Sequence, residues 1–183
     1  MDFDPYDNKY YNDIIILNLK DNLVFSQKKV HAVSLPQEKT WGKDDSLEDC
    51  MISGWGRTQY NHNSCQLPKI LQRANVPTIA NCNSVSKYTN LIESQICAGD
   101  LINGKTDTCG GDSGGPLICK SGFSGYVMTG VVSYGYGCGT RGYPGIYTRV
   151  GYFLDWIKDN MEKLGTIIYI HLFLLYLKLC FFG

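Results

Sequence analysis

The sequence has no excess of charge of either sign, because 17 Lys and Arg residues balance 17 Asp and Glu residues. This balance excludes the strongly basic surface that would draw the protein onto nucleic acid. Charged residues make up only 19% of the chain and hydrophobic residues 44%, which excludes a disordered chain. The sequence also has no close Cys-x-x-Cys pair or Cys–His cluster, so we expect neither a metal ion nor a cofactor.

The beginning of the chain lacks a signal peptide. Residues 1–7 read MDFDPYD and contain three acids and no apolar run, whereas a secretory signal needs an apolar core. The chain nevertheless has eight cysteines, and lasting disulfides require an oxidising compartment. Either the cysteines are reduced in the cytosol or the natural N-terminus is missing. The rest of the sequence favours the second interpretation, and with it a secreted protein and a fragment.

The end of the chain, residues 166–183, is mostly apolar but is interrupted by His171 and Lys178. A membrane-spanning helix needs about 20 predominantly apolar residues, so this segment is marginal. Three interpretations remain open for this apolar tail, namely a membrane tether, a terminus that is not native, and a segment packed on the domain.

Between these ends, short apolar segments alternate with turns that are rich in glycine, of which the chain has 20. The segments that predict strands are 13–19, 29–35, 50–56, 70–76, 116–119, 127–134 and 145–150. In residues 152–164 the apolar side chains recur at helical spacing on one face, which predicts an amphipathic helix. The length suits one domain, and the pattern predicts an all-β barrel or sandwich with a C-terminal helix.

The most informative segment is residues 107–116, DTCGGDSGGP, in which Ser113 stands among four glycines. Glycines allow backbone conformations that bring N–H groups close to a substrate. The N–H groups of Gly111 and Ser113 could therefore point at one developing oxyanion. The alternative is a glycine-rich loop with an incidental serine.

This segment resembles the active-site loop of the trypsin-like serine proteases, and other segments extend the resemblance over about residues 8–160. Residues 11–17 (YNDIIIL) are similar to the family's segment around the catalytic aspartate, and residues 53–57 (SGWGR) to its Gly-Trp-Gly strand. Residues 131–138 (VVSYGYGC) and 144–150 (PGIYTRV) are similar to the two walls of its specificity pocket. The family has the two-barrel chymotrypsin fold.

The resemblance implies a domain division of this chain. Residues 1–35 would be a remnant of the first β-barrel and would carry Asp13. Residues 36–151 would form the second β-barrel, with Ser113 and the specificity pocket. Residues 152–165 would form the C-terminal helix, and the apolar tail 166–183 fits no part of the family's fold.

The resemblance also implies the catalytic roles. Ser113 would be the nucleophile, and Asp13 the carboxylate that orients the histidine and stabilises its cation. The amides of Gly111 and Ser113 would form the oxyanion hole. Asp112 is similar to the acid that pairs with the new amino terminus after zymogen cleavage, and burying it without a cation would be costly.

The specificity pocket follows in the same way. Asp107 resembles the acid at the base of the pocket, and Gly135 and Gly145 would leave room for an Arg or Lys side chain of a protein substrate. Ser133, Tyr134 and Gly135 are similar to the strip that pairs with substrate backbone, although many relatives have tryptophan in place of Tyr134. The implied partners are substrates cleaved after Arg or Lys, and protease inhibitors.

The resemblance assigns six of the eight cysteines to disulfides and leaves Cys65 and Cys180 over. The implied pairs are Cys50–Cys119, Cys82–Cys97 and Cys109–Cys138. Spacing alone does not choose them, since eight cysteines allow 105 pairings.

The mechanism needs a histidine base, and the chain has only His31, His62 and His171. None suits the role, because the family's histidine precedes the aspartate and no histidine precedes Asp13. Two interpretations therefore compete. The first is an endopeptidase whose N-terminal third is missing, so that the 183 residues are inactive by themselves. The second is an inactive homologue that serves as a binding module or decoy.

Overall fold

The computed structural model describes residues 12–21, 23, 25, 30–39, 41–42, 47–58, 67–88, 90–122 and 125–163. Four residues discussed above, His62, Cys65, His171 and Cys180, lie outside these ranges, as does the apolar tail 166–183. No helix within the described ranges is long and apolar enough to cross a membrane.

The described residues form a curled antiparallel sheet of seven strands. The strands are β1 (Met51–Gly54), β2 (Gln72–Asn75), β3 (Thr78–Ile79), β4 (Gln95–Ala98), β5 (Pro116–Ser121), β6 (Gly125–Tyr134) and β7 (Gly145–Arg149). Their order across the sheet is β2-β1-β5-β6-β7-β4-β3. A short helix α1 (Cys82–Val85) lies between β3 and β4, and a 3-10 turn (Val150–Phe153) leads into the C-terminal helix α2 (Leu154–Lys163). The all-β prediction is confirmed, and the half-barrel sheet with its short C-terminal helix is consistent with the chymotrypsin fold.

The central strands form because their apolar side chains, at alternate positions or in continuous runs, are buried in one core. Ile52, Leu117, Val132 and Tyr147, from β1, β5, β6 and β7, belong to one buried cluster. Leu117 and Tyr147 are fully enclosed, and each fully buried side chain of this size stabilises the fold by about 1.5–3 kcal/mol. These four strands are the rigid support for the loops at their ends.

The C-terminal helix packs through the apolar face that its sequence predicts. Phe153 and Ile157 are buried with Met128 of β6 and Val150 of the 3-10 turn. Asp155 and Lys158 lie on the exposed side. The helix therefore packs its apolar face against β6 and leaves its charged face in solvent.

A buried arginine anchors the segment around Lys39 and Trp41 to the sheet. The Arg149 side chain is 2% exposed, and its Nε donates to the carbonyl of Glu93 at 2.7 Å and its Nη1 to that of Lys39 at 2.8 Å. Trp41 reinforces the attachment, since its Nε1 donates to the hydroxyl of Thr129 at 3.0 Å. Hydrogen bonds of this kind compensate the cost of enclosing the charge.

The predictions for the first two strands are wrong. Residues 13–19 form no strand, and Ile15 is 77% exposed. Within the segment 29–35, the described residues form only isolated bridges, including one between Ser34 and Val127. A strand needs a neighbour that completes its hydrogen bonds, and no described strand forms backbone hydrogen bonds with residues 13–19. Conversely, the sequence pattern predicts neither β3, whose two residues show no period, nor β4 and α1.

Candidate active site

The loop that carries Ser113 is fixed to the end of β6. Gly114 N–H donates to the carbonyl of Val132 at 2.9 Å, and Val132 N–H donates to the carbonyl of Gly115 at 2.9 Å. Within the loop, Gly115 N–H donates to the carbonyl of Asp112 at 2.8 Å. These bonds form a tight turn directly before β5, with Ser113 exposed at its tip.

Asp13 is held at the same end of β6. Its Oδ2 accepts a hydrogen bond from the Ser133 hydroxyl at 2.5 Å, and its backbone carbonyl accepts one from the Thr148 hydroxyl at 2.7 Å. Because Ser133 directly follows Val132, neighbouring residues of one strand hold Asp13 and the loop of Ser113. The structure thus attaches the segments of these two predicted residues to the same end of β6.

Asp112 turns its carboxylate inward, toward the loop after β1. Its Oδ1 accepts from Gly56 N–H at 2.7 Å and its Oδ2 from Cys109 N–H at 3.0 Å. A Cβ on Gly54 would lie 1.9 Å from Oδ1, and a Cβ on Gly56 would lie 2.4 Å from the Asp112 Cγ. The carboxylate therefore occupies space that only glycines leave open, and two backbone donors offset part of the cost of burying it.

Asp107 is half-buried in a recess whose lining includes Thr108, Cys138 and Gly139. Its Oδ1 accepts from Thr108 N–H at 2.8 Å and its Oδ2 from Gly139 N–H at 2.9 Å. Burial raises the pKa of Asp107 to about 6, although these backbone donors act in the opposite direction. A Cβ on Gly145 would lie 2.6 Å from Oδ1, so the absence of a side chain there keeps the carboxylate accessible.

The hydroxyl of Tyr147 is a second polar group at this place, and no pattern in the sequence marks it. It is buried beside the Thr108 side chain. Burial raises its pKa above the ordinary value while Thr108 lowers it, and the hydroxyl makes no hydrogen bond of ordinary geometry to the described part of the chain. The Tyr147 ring also contacts the position of a Gly145 Cβ at 3.2 Å. A buried polar atom without a partner is costly, so this recess is suited to a ligand that donates hydrogen bonds.

The described residues form three disulfides, and they are the pairs that the resemblance implies. Cys109 bonds to Cys138, which ties the loop of Ser113 to the segment beside Asp107. The other two bonds are Cys50–Cys119, from the start of β1 to β5, and Cys82–Cys97, from α1 to β4. None of the cysteines that the structure describes is free.

A cavity of about 490 Å³ lies behind the loop. Its lining includes both carboxylates, Asp107 and Asp112, together with Arg57, Arg73 and Lys105. The cavity is therefore charged with both signs, which suits a polar occupant better than an apolar one.

Tyr134 belongs to an aromatic cluster that the sequence did not reveal. Its ring meets the ring of Tyr88 edge to face at 6.2 Å, and Tyr88 meets Tyr143 in the same way at 5.5 Å. The Tyr136 N–H donates to the Tyr88 hydroxyl at 2.8 Å. Residues 88 and 134 are too far apart for any sequence period to join them. The cluster stiffens the strip formed by Ser133, Tyr134 and Gly135.

Among the described residues, no histidine is seen to bond to the carboxylate of Asp13. His31 is exposed, and the carboxylate of Asp13 bonds to Ser133. The described ranges also contain no cluster of three or more His, Cys, Asp or Glu side chains that could hold a metal ion.

The sheet, the glycine-rich serine loop and the recess over Asp107 together match a known family of proteins. The sequence model of the trypsin family matches residues 3–157. The chain is 38% identical over 161 residues to Trypsin-1 of Astacus astacus, across 87% of this chain and 62% of that protein. It is 39% identical over 153 residues to Trypsin-10 of Gadus morhua, across 83% of this chain and 58% of that protein. The chain therefore belongs to the trypsin-like serine protease family.

A third relative is Transmembrane protease serine 7 of Rattus norvegicus, which is 46% identical over 120 residues, or 65% of this chain and 14% of that protein. The chain spans about six tenths of the length of the curated trypsins that it matches.

Proposed function

We propose that this chain is the substrate-binding and nucleophile-bearing part of a trypsin-like serine endopeptidase that cleaves after Arg or Lys. The observation that carries the proposal is the recess in which the Asp107 carboxylate lies below Gly145. A buried carboxylate demands a basic partner. The hydroxyl of Tyr147, which makes no hydrogen bond of ordinary geometry to the described residues, adds an acceptor for the same ammonium or guanidinium group.

Ser113 is the nucleophile of this proposal. Its Oγ attacks the carbonyl carbon of the scissile bond, the amine leaves with a proton, and water then hydrolyses the acyl-enzyme. The N–H groups of Gly111 and Ser113 would stabilise the oxyanion. Gly111 has a φ of 103°, a conformation that side chains disfavour and that allows its N–H to turn toward the bond. Ser113 is exposed, as attack on a protein substrate requires.

Asp13 has the role of orienting a histidine and stabilising its cation. The Ser133 hydroxyl holds its carboxylate at the end of β6 to which the loop of Ser113 is attached. Ser133, Tyr134 and Gly135 would pair with the backbone on the acyl side of the substrate, because they lie beyond the pairing of β6 with β5, which ends at Pro116 opposite Val131.

Asp112 is the acid that would receive an amino terminus in the cavity behind the loop. The cavity of about 490 Å³ includes its carboxylate, and an ammonium group in contact with this half-buried acid would form an ion pair with it. Because Asp112 also accepts from Cys109 N–H, such a pair would stabilise the loop that holds the oxyanion donors.

These 183 residues by themselves have no proteolytic activity in this proposal, because none of their three histidines suits the role of base. The second candidate function is that of a binding module or decoy. It is favoured by the recess over Asp107, which is formed without any histidine. Both functions predict binding of basic peptides. The three disulfides favour an extracellular location for either, and protease inhibitors are further expected partners.

The experiment that tests the proposal compares two peptides that differ only in one Arg or Gln. We expect the full chain to bind the Arg peptide about tenfold or more tightly than the Gln peptide, and Asp107→Asn to abolish the difference. Equal binding of both peptides would contradict the proposal.

Turnover of an arginine ester separates the two functions. We expect none from the purified chain. Turnover that disappears in Ser113→Ala would show that the chain is an enzyme by itself and would overturn the inactivity that we propose.

A further inference from the structure

Arg57 lies against the loop that carries Ser113. Its backbone N–H donates to the carbonyl of Gly110 at 3.0 Å. Its Cδ and Nε atoms lie 3.9 Å from the position that a Cβ of Gly110 would occupy. The arginine side chain therefore runs along a face of the loop that Gly110 leaves uncovered, three residues before Ser113. A half-buried side chain with a permanent positive charge is thus held beside the nucleophile.

The order of the strands shows on which side of Ser113 this charge lies. β5 begins at Pro116, directly after the loop, and its neighbours are β1 on one side and β6 on the other. Ser133 and Gly135 stand at the end of β6, whereas Arg57 follows the end of β1. Arg57 and the strip of β6 therefore flank the loop on opposite sides.

This arrangement relates Arg57 to one part of a substrate, if the function proposed above is right. The acyl part of the peptide lies along the β6 strip, with its basic side chain over Asp107. The peptide then crosses Ser113, so the part released as the amine lies on the side of β1. Arg57 is on that side, and Gly110 presents no side chain that would separate the two.

We propose that Arg57 is a specificity-determining residue that selects Asp or Glu directly after the cleaved bond or one position later. A guanidinium binds a carboxylate through paired, charge-assisted hydrogen bonds. Because the side chain is only half-buried, the preference is a few-fold and depends on salt.

The test uses fluorescently labelled peptides that have one Arg followed by Asp, Asn or Lys, with binding measured by anisotropy on the full chain. At low salt we expect the Asp peptide to bind about threefold to tenfold more tightly than the Lys peptide. At about 0.5 M salt the difference shrinks to less than about twofold, since the screening length falls below about 5 Å. Mass spectrometry verifies that each peptide stays intact.

Variants assign the preference to its cause. Arg57→Gln should remove it, Arg57→Glu should reverse it, and Arg57→Lys should retain part of it. The matched control is Lys158→Glu, which changes the net charge like Arg57→Glu but lies on the exposed side of α2. This control should leave the preference unchanged.

The outcomes separate this inference from the function on which it rests. A chain that distinguishes Arg from Gln through Asp107, and keeps its Asp preference in Arg57→Glu, overturns the role of Arg57 alone. The same holds if Lys158→Glu changes the preference as much as Arg57→Glu does, because the effect is then one of net charge. A chain that binds none of the peptides overturns both the function and the role of Arg57.

Discussion

The hydroxyl of Ser133 donates a hydrogen bond to the carboxylate of Asp13, with 2.5 Å between Oγ and Oδ2. The bond joins two residues 120 positions apart and attaches the segment of Asp13 to the end of β6. Without it, the carboxylate would have no hydrogen-bond partner among the described residues. Because this segment forms no strand of its own, the position of Asp13 depends on a few side-chain contacts.

The first prediction concerns this bond. Ser133→Ala should lower the free energy of unfolding by about 1 kcal/mol, because the bond involves a charged acceptor that is partly exposed. A double-mutant cycle with Asp13→Ala, measured by urea unfolding, should give a coupling energy of similar size. Additive effects of the two substitutions would show that the bond contributes nothing.

The second prediction concerns pH and Asp107. Its pKa is raised by burial to about 6, above the unfolded value of about 3.9. The protonated form is therefore favoured in the folded state, and the stabilisation is complete below pH 4 and is lost as the pH rises through about 6. Relative to the parent chain, Asp107→Asn should gain about 2 kcal/mol of stability between pH 4 and pH 7. Denaturant unfolding at several pH values measures this, and a constant difference across the range would contradict it.

The third prediction concerns the space above Asp107. Gly145→Ala should weaken binding of the Arg peptide at least about tenfold, because the new Cβ would stand 2.6 Å from Oδ1 of Asp107. Gly135→Ala is the matched comparison, since its Cβ would have its nearest neighbour at 3.7 Å, an ordinary contact. It should weaken binding less than Gly145→Ala, and the reverse order would argue against the recess as the binding place.

The fourth prediction concerns the glycines around Asp112. Gly56→Ala should destabilise the protein by about 1–3 kcal/mol, because its Cβ would overlap the Asp112 carboxylate. Gly122→Ala, whose Cβ would meet nothing within 4 Å, should change the stability by less than about 0.5 kcal/mol. Thermal or urea unfolding gives both values. Equal effects would mean that the loop of Asp112 shifts to accommodate the new methyl group without loss of stability.

The features of the site that could be predicted from the sequence are those that lie within one continuous segment of the chain. The serine loop from Asp107 to Pro116 is one unbroken segment, and the strands β5, β6 and β7 are long enough for their apolar side chains to show. The predicted β5, β6 and β7 segments overlap those observed, and the cysteine pairs that the resemblance implies are the ones that the structure contains.

The contacts between distant residues could not be predicted. Only the fold shows that Gly56 makes room for Asp112, that the Tyr147 hydroxyl makes no ordinary hydrogen bond to the described residues, or that Arg57 lies on Gly110. The strand prediction for residues 13–19 is wrong for a different reason. Its apolar residues have strong strand propensity, but propensity yields to the availability of a neighbouring strand.

The central claim is that Asp107 binds a basic group, and a calorimetric titration of the full chain with benzamidine, a planar amidinium ion, tests it most directly. The account predicts saturable binding at about pH 7.5 and an affinity at least about tenfold lower in Asp107→Asn. It also predicts weaker binding at about pH 5, where much of the carboxylate is protonated because its pKa is about 6. Equal affinities of the parent chain and Asp107→Asn, or no binding to either, would contradict it.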